Sequence, residues 1–326
     1  MPILTSGRFV LMLAAALMAL MPSAAAAQSW PARPVTVIVP FPAGGSTDVL
    51  ARAVAQELSD RLGAQFVVDN RGGAGGNVGA AAVAKAAPDG YTVLFGTPGP
   101  LALNKLMYKS LPFDSKRDFV PIGLIAKSPL IIVANPSTPA KSLKELISYA
   151  KANPGKLNVG HAGNGTLGHI ASELVQKELG ISMTNVPYRG TAPLTTDLLG
   201  GQVDVGMDFM STYVPLVRDG KLRALAVTST TRASELPDVI TVQEAGVKGF
   251  EATAWYALVA PTGTPAPVID KINVATNAFL QSAKGQGVLR QLGMQVAGGT
   301  PAYLKAYIVS EVAKWEPVIK AANISM

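Results

Sequence analysis

The chain has no cysteine and only two histidines among its 326 residues. Without thiols it can form no disulfide, no cysteine metal site, no thiol nucleophile and no lipid-modified N-terminal cysteine. His161 and His169 stand eight apart across a glycine loop, with no His-x-x-x-His on a helix and no carboxylate cluster beside them, so no metal site and no cofactor are expected. Acyl-transfer chemistry lacks its Gly-x-Ser-x-Gly elbow. Charged residues make up only 15% of the chain and form no runs, which removes the basic stripe of a nucleic-acid binder. Long apolar runs are missing too. The longest, Phe9–Met21, has thirteen residues, short of the roughly 20 that span a membrane.

That run follows Arg8 and precedes Pro22 and the small residues Ala24–Ala27, the pattern of a signal peptide over residues 1–27 with cleavage near Ala26–Gln28. Export to the periplasm is therefore expected. Removing Arg8 with the peptide lowers the formal net charge from +7 to +6. The remaining length suits two domains or one large α/β domain, with core enough to dispense with disulfides.

Strand-like runs are Val35–Val39, Phe66–Asn70, Thr92–Phe95, Leu130–Ala134, Leu157–Gly160, Val203–Met207, Leu222–Thr228 and Ala254–Val259, and helix-like runs alternate with them. Leu50, Val54, Leu58 and Leu62 line one face of the first helix, and Leu167, Ile170, Leu174 and Val175 one face of a later one. Such alternation implies an α/β fold with mostly parallel sheet covered on both faces. Crossings near Ser128–Pro129 and Gly249–Glu251 divide the chain into lobe 1, discontinuous over 30–128 and 251–326, and an inserted lobe 2 over 129–250.

Two strand-to-helix junctions carry the binding chemistry. In Phe41-Pro-Ala43-Gly44-Gly45-Ser46-Thr47-Asp48 the glycines let backbone approach a ligand, Ser46 and Thr47 add hydroxyls, and either is a candidate helix cap. In Gly163-Asn164-Gly165-Thr166, Thr166 caps the next helix and His169 falls in its first turn. Free N–H groups at the positive end of a helix dipole make each junction an anion cradle, and a plain turn with a cap explains the same residues. The glycine-rich stretch Asn70–Gly79 fails both nucleotide fingerprints and reads first as a structural turn. Arg189 and Asp208 end further strands, Arg189 as a cationic residue at a junction and Asp208 as a loop-orienting group or a partner for a ligand amine.

In order, WPARPVTVIVPFPAGGSTD, VVDNRGGAGGNVGAAAVAKAAPDGYTVLFGT, AGNGTLGHIASEL, VPYRGTAPLTTDLLGGQVD, GKLRALAVTS and FEATAWYALVAPTGTPAPVIDKIN resemble the Bug family of periplasmic solute-binding proteins, related to the receptors of tripartite tricarboxylate transporters. The resemblance spans the chain after the signal peptide. It implies a two-lobed type II periplasmic-binding fold, a monomer without catalysis, and a small carboxylate held between the lobes by the loops Phe41–Asp48 and Gly163–His169. Gly96, Thr97 and Asp208 complete the cleft in similar proteins, and His161 stands where many relatives have a small residue. Membrane permease subunits of a tripartite transporter are the implied partners, with a membrane sensor as the alternative. An exported enzyme acting on a carboxylate would need a nucleophile or an acid–base pair that these loops do not offer.

Overall fold

The computed structural model describes residues 30–321 and 324–326; the expected signal peptide lies outside them. The fold described is that of the unit Arg33–Met326. Among the described residues no helix is long and apolar enough to cross a membrane.

Ten strands, β1 (Val35–Val39), β2 (Phe66–Asn70), β3 (Thr92–Gly96), β4 (Phe119–Ala134), β5 (Asn158–His161), β6 (Thr184–Pro187), β7 (Val205–Phe209), β8 (Arg223–Val227), β9 (Thr253–Pro261) and β10 (Gln295–Val296), lie in the order β2-β1-β3-β9-β4-β7-β5-β6, with β8 and β10 also on β4. The helices are α1 (Ser46–Leu62), α2 (Asn77–Ala84), α3 (Asn104–Met107), α4 (Leu143–Ala152), α5 (Leu167–Leu179), α6 (Thr191–Leu199), α7 (Met210–Arg218), α8 (Ala266–Gln281), α9 (Ala283–Gln291) and α10 (Pro301–Ala321).

The molecule is two-lobed, and each lobe is sheet flanked by helices. β2-β1-β3 and β6-β5-β7 are parallel, as strand–helix alternation requires. Antiparallel pairing enters at the centre: β9 runs against β3 and β4, and β4 against β7 and β8. β4 reaches into both lobes. It pairs with β9 over Phe119–Pro129 and with β7 over Leu130–Ala134, and the change of partner falls beside the expected crossing at Ser128–Pro129.

Thr228, fully buried, ties this change to the return strand. Its hydroxyl accepts from Leu130 N–H at 2.7 Å and donates to Ala252 O at 2.6 Å, with Leu130 O at 3.1 Å. Leu50, Val54 and Leu58 of α1 are buried on one face, as are Leu167, Ile170 and Val175 of α5, while Leu62 and Leu174 are half-buried at the margins. Each fully buried side chain of this size contributes roughly 1.5–3 kcal/mol. That packing holds the strand ends, and hence the loops, in place.

Candidate functional site

The first loop leaves β1 and enters α1 through Gly45 at the cap position, with no side-chain cap. This corrects the expectation that Ser46 or Thr47 caps the helix. The Ser46 hydroxyl turns inward to that of Tyr256 at 3.2 Å, and the Asp48 carboxylate takes the loop's N–H instead, accepting from Gly44 N at 3.0 Å. Asp48 also accepts from Arg52 Nε and Asn70 Nδ2, both at 3.0 Å. Burial would raise its carboxyl, but the hydrogen bonds from Arg52, Gly44 N–H and Asn70 outweigh that and hold it below the ordinary carboxylate range. Asp48 thus braces the loop, leaving the first-turn N–H groups of α1 without intrahelical partners.

The second loop leaves β5 at His161. Gly163 and Gly165 have φ of +133° and +82°, a backbone that L side chains rarely adopt. Thr166 caps α5 as the sequence predicts, accepting from His169 N at 3.4 Å; its own proton goes to Gly163 O at 2.7 Å. The rings of His161 and His169 lie 4.6 Å apart. Burial pushes His161 down to about 3, the neighbouring His169 adding to it against a hydrogen bond from Gly163 N–H, and burial takes His169 down to about 4. Both are neutral at pH 7, so attraction for an anion here comes from N–H dipoles.

The two loops meet across one cleft of about 230 Å³, lined by Phe41 of the first loop, Gly163 and Asn164 of the second, Arg189, and Gly73–Gly76. A Cβ on Gly75 would lie 2.3 Å from Asn164 O, one on Gly99 3.2 Å from Gly165 O, and one on Gly45 3.3 Å from Thr191 Cβ. Tyr108 Oη donates to Asn164 O at 3.0 Å across the same seam. Backbone comes close to backbone at Gly75/Asn164 and Gly99/Gly165, with the Thr191 and Tyr108 side chains beside them.

Of the residues named from sequence, Phe41, Gly163, Asn164 and Arg189 line this cleft, and Arg189 is exposed at its edge. Gly44 and Gly45 lie against Ala192 and Thr191, Ala43 is exposed, and Thr47 is buried in the first turn of α1. Gly96 ends β3 with its open side filled by Leu101, and Thr97 is buried after it. Asp208 lies in the floor of the other lobe, where burial raises it to about 6 against hydrogen bonds from Thr191 and Phe209 N–H.

Sequence reasoning missed Thr191 and Tyr256, which join Asp208 and Ser46 in a buried polar cluster. Burial raises the Tyr256 phenol, the hydrogen bond with Ser46 lowers it, and the nearby Asp208 raises it again. Larger hollows of about 460 and 390 Å³ lie around Lys105 and Arg117 and between α1 and β2, but their polar side chains are not buried. Among the described residues no group of three His, Asp or Glu side chains could hold a metal ion.

A two-lobed α/β fold with glycine-rich loops of both lobes facing across a cleft is the architecture of periplasmic solute-binding proteins. Residues 50–324 match the model of the tripartite tricarboxylate transporter family receptor, and the chain belongs to that family. It is 38% identical over 301 residues to protein BugT of Bordetella pertussis, covering 92% of each chain. Among solved structures, an R. palustris protein with adipate superposes with a TM-score of 0.88 at 41% identity, over 91% of this chain and 99% of that one. MatC from Rhodopseudomonas palustris with bound malate superposes with a TM-score of 0.85 at 36% identity, over 89% and 100%.

Proposed function

We propose that this protein is an exported receptor that captures a small carboxylate between its lobes, 33–128 with 251–326 on one side and 129–250 on the other, and delivers it to a membrane transporter. The observation that carries this reading is the pair of loops Phe41–Asp48 and Gly163–His169 meeting at a single cleft with Arg189 at its edge. Relatives solved with adipate and with malate support the ligand class. The backbone N–H groups of both helix starts, with the Ser46 and Thr47 region, form the carboxylate cradle, and Arg189 adds a charge at the rim.

The test is a thermal-shift screen of carboxylates on refolded, ligand-stripped protein. An acid at about 100 times its Kd adds roughly 2.7 kcal/mol, a rise of about 5–10 °C for a domain of this size. The methyl ester of the same acid should lose most of the shift. A shift with neutral sugars or metal ions and none with acids would defeat the reading. The acid should be recovered unchanged after incubation, as a receptor without catalysis requires. Capture of membrane permease subunits, as against a membrane sensor, in the presence of the acid separates transport from signalling.

A further inference from the structure

Asp208, next to last in β7, has 1% of its surface exposed, and its Oδ2 has no hydrogen-bond partner. Thr191 and the Phe209 N–H stand beside the carboxyl and favour its ionised form. Thr191 is also where the first loop touches this lobe, against Gly45. None of the hydroxyls around the carboxylate makes a hydrogen bond to Oδ2: Tyr256 is engaged with Ser46, Thr195 Oγ1 with Thr191 O and Tyr213, and Ser211 Oγ, like Oδ2, is buried without a partner. In register, Gly160 of β5 stands beside Gly206, so Asp208 lies at the same strand ends as the second loop. An unpaired acceptor is thus buried at the strand ends that carry the second loop, beside the residue that meets the first loop, and a buried acceptor left unpaired is costly.

Resting on the receptor reading above, we propose that Asp208 is a specificity residue: its Oδ2 accepts a hydrogen bond from the ligand, so the preferred carboxylates carry a donor, a hydroxyl or an ammonium group, near the acid. An unsubstituted acid of the same length leaves Oδ2 unpaired. A keto acid brings a second acceptor against it and binds worst, because like partners repel and neither is satisfied.

The experiment is calorimetric titration at pH 8, where this carboxyl is ionised, with three matched pairs: succinate and malate, adipate and 2-aminoadipate, phenylacetate and mandelate. For whichever scaffold binds, the donor-bearing member should bind at least tenfold tighter to the wild type. Asp208→Asn, which keeps the shape and offers an amide donor, should shrink that ratio to about threefold or less, and oxaloacetate should gain on malate. Equal binding within a pair by the wild type overturns the proposal without any variant being needed, as does a ratio unchanged in a folded Asp208→Asn. If none of the six acids binds the stripped wild type, the receptor reading itself fails, which is a different result from binding without donor preference.

Discussion

At the scale of single residues, the buried histidines dominate how the protein responds to acid. His161 and His169 titrate at about 3 and 4 in the fold, below the ordinary 6.5 they regain on unfolding. The unfolded chain therefore binds more protons between about pH 6.5 and 4, and stability falls as pH falls through that window. Asp208 acts in the opposite sense: raised from 3.8 to about 6, it takes its proton first in the folded state and adds stability as pH falls below 6. Two histidines, each displaced further than the one carboxyl, outweigh it. The urea midpoint should drop between pH 7 and 4.5, and His161→Asn, which keeps an acceptor for Gly163 N–H, should flatten the profile. A midpoint that holds steady or rises in the wild type would contradict this. Thr166→Ala should cost about 0.5–2 kcal/mol in unfolding experiments through the lost cap, and Thr166→Ser should be nearly silent. Because the Thr166 proton already goes to Gly163 O, the Ala variant should bind the acid within about twofold of wild type.

At the scale of elements, what was legible followed from periodicity. β1 and β2 fall where alternation puts them, and Leu50, Val54 and Leu58 mark the buried face of α1. The first half of β4 was not legible, because Pro121, Gly123 and Pro129 read as breakers; the strand absorbs them with register shifts at Pro121/Gly123 and Leu124/Ala126. β10, two residues long, is too short to carry a period. Ser46 promised a cap by residue type, yet a buried tyrosine from a strand more than two hundred residues later claims its hydroxyl, a contact that local sequence does not contain. Tyr256 itself reads as ordinary core, and Gly73–Gly76 as a plain turn, until the other lobe is laid against them. Two variants probe these element junctions. Thr228→Val strips the partner from Leu130 N–H at the crossing and should cost about 1–3 kcal/mol in denaturant unfolding, with Thr228→Ser unaffected. Tyr108→Phe deletes the hydrogen bond across the seam, worth about 0.5–1.5 kcal/mol net, and should weaken the acid's affinity about 2- to 12-fold in calorimetric titration with little change in melting.

At the scale of the whole molecule, the parallel strands of each lobe end in loops that converge on one cleft, where an open α/β sheet takes its ligands. Glycines at Gly75 and Gly99 let backbone come close to Asn164 O and Gly165 O across the seam, while Gly45 meets the Thr191 side chain. On the receptor reading the acid lies between the lobes and enters only when they part, a two-state opening that ligand shifts toward the closed form. The absence of native cysteine makes a direct trap available. A Cβ on Gly45 stands 3.3 Å from Thr191 Cβ, close to the usual disulfide separation of about 3.5–4.5 Å. In the Gly45→Cys/Thr191→Cys variant, oxidation before adding the acid found by the screen should block its uptake, oxidation afterwards should retain it through dialysis, and reduction should reverse both. Uptake and release unchanged in the fully oxidised protein would show that the acid binds somewhere other than between the lobes.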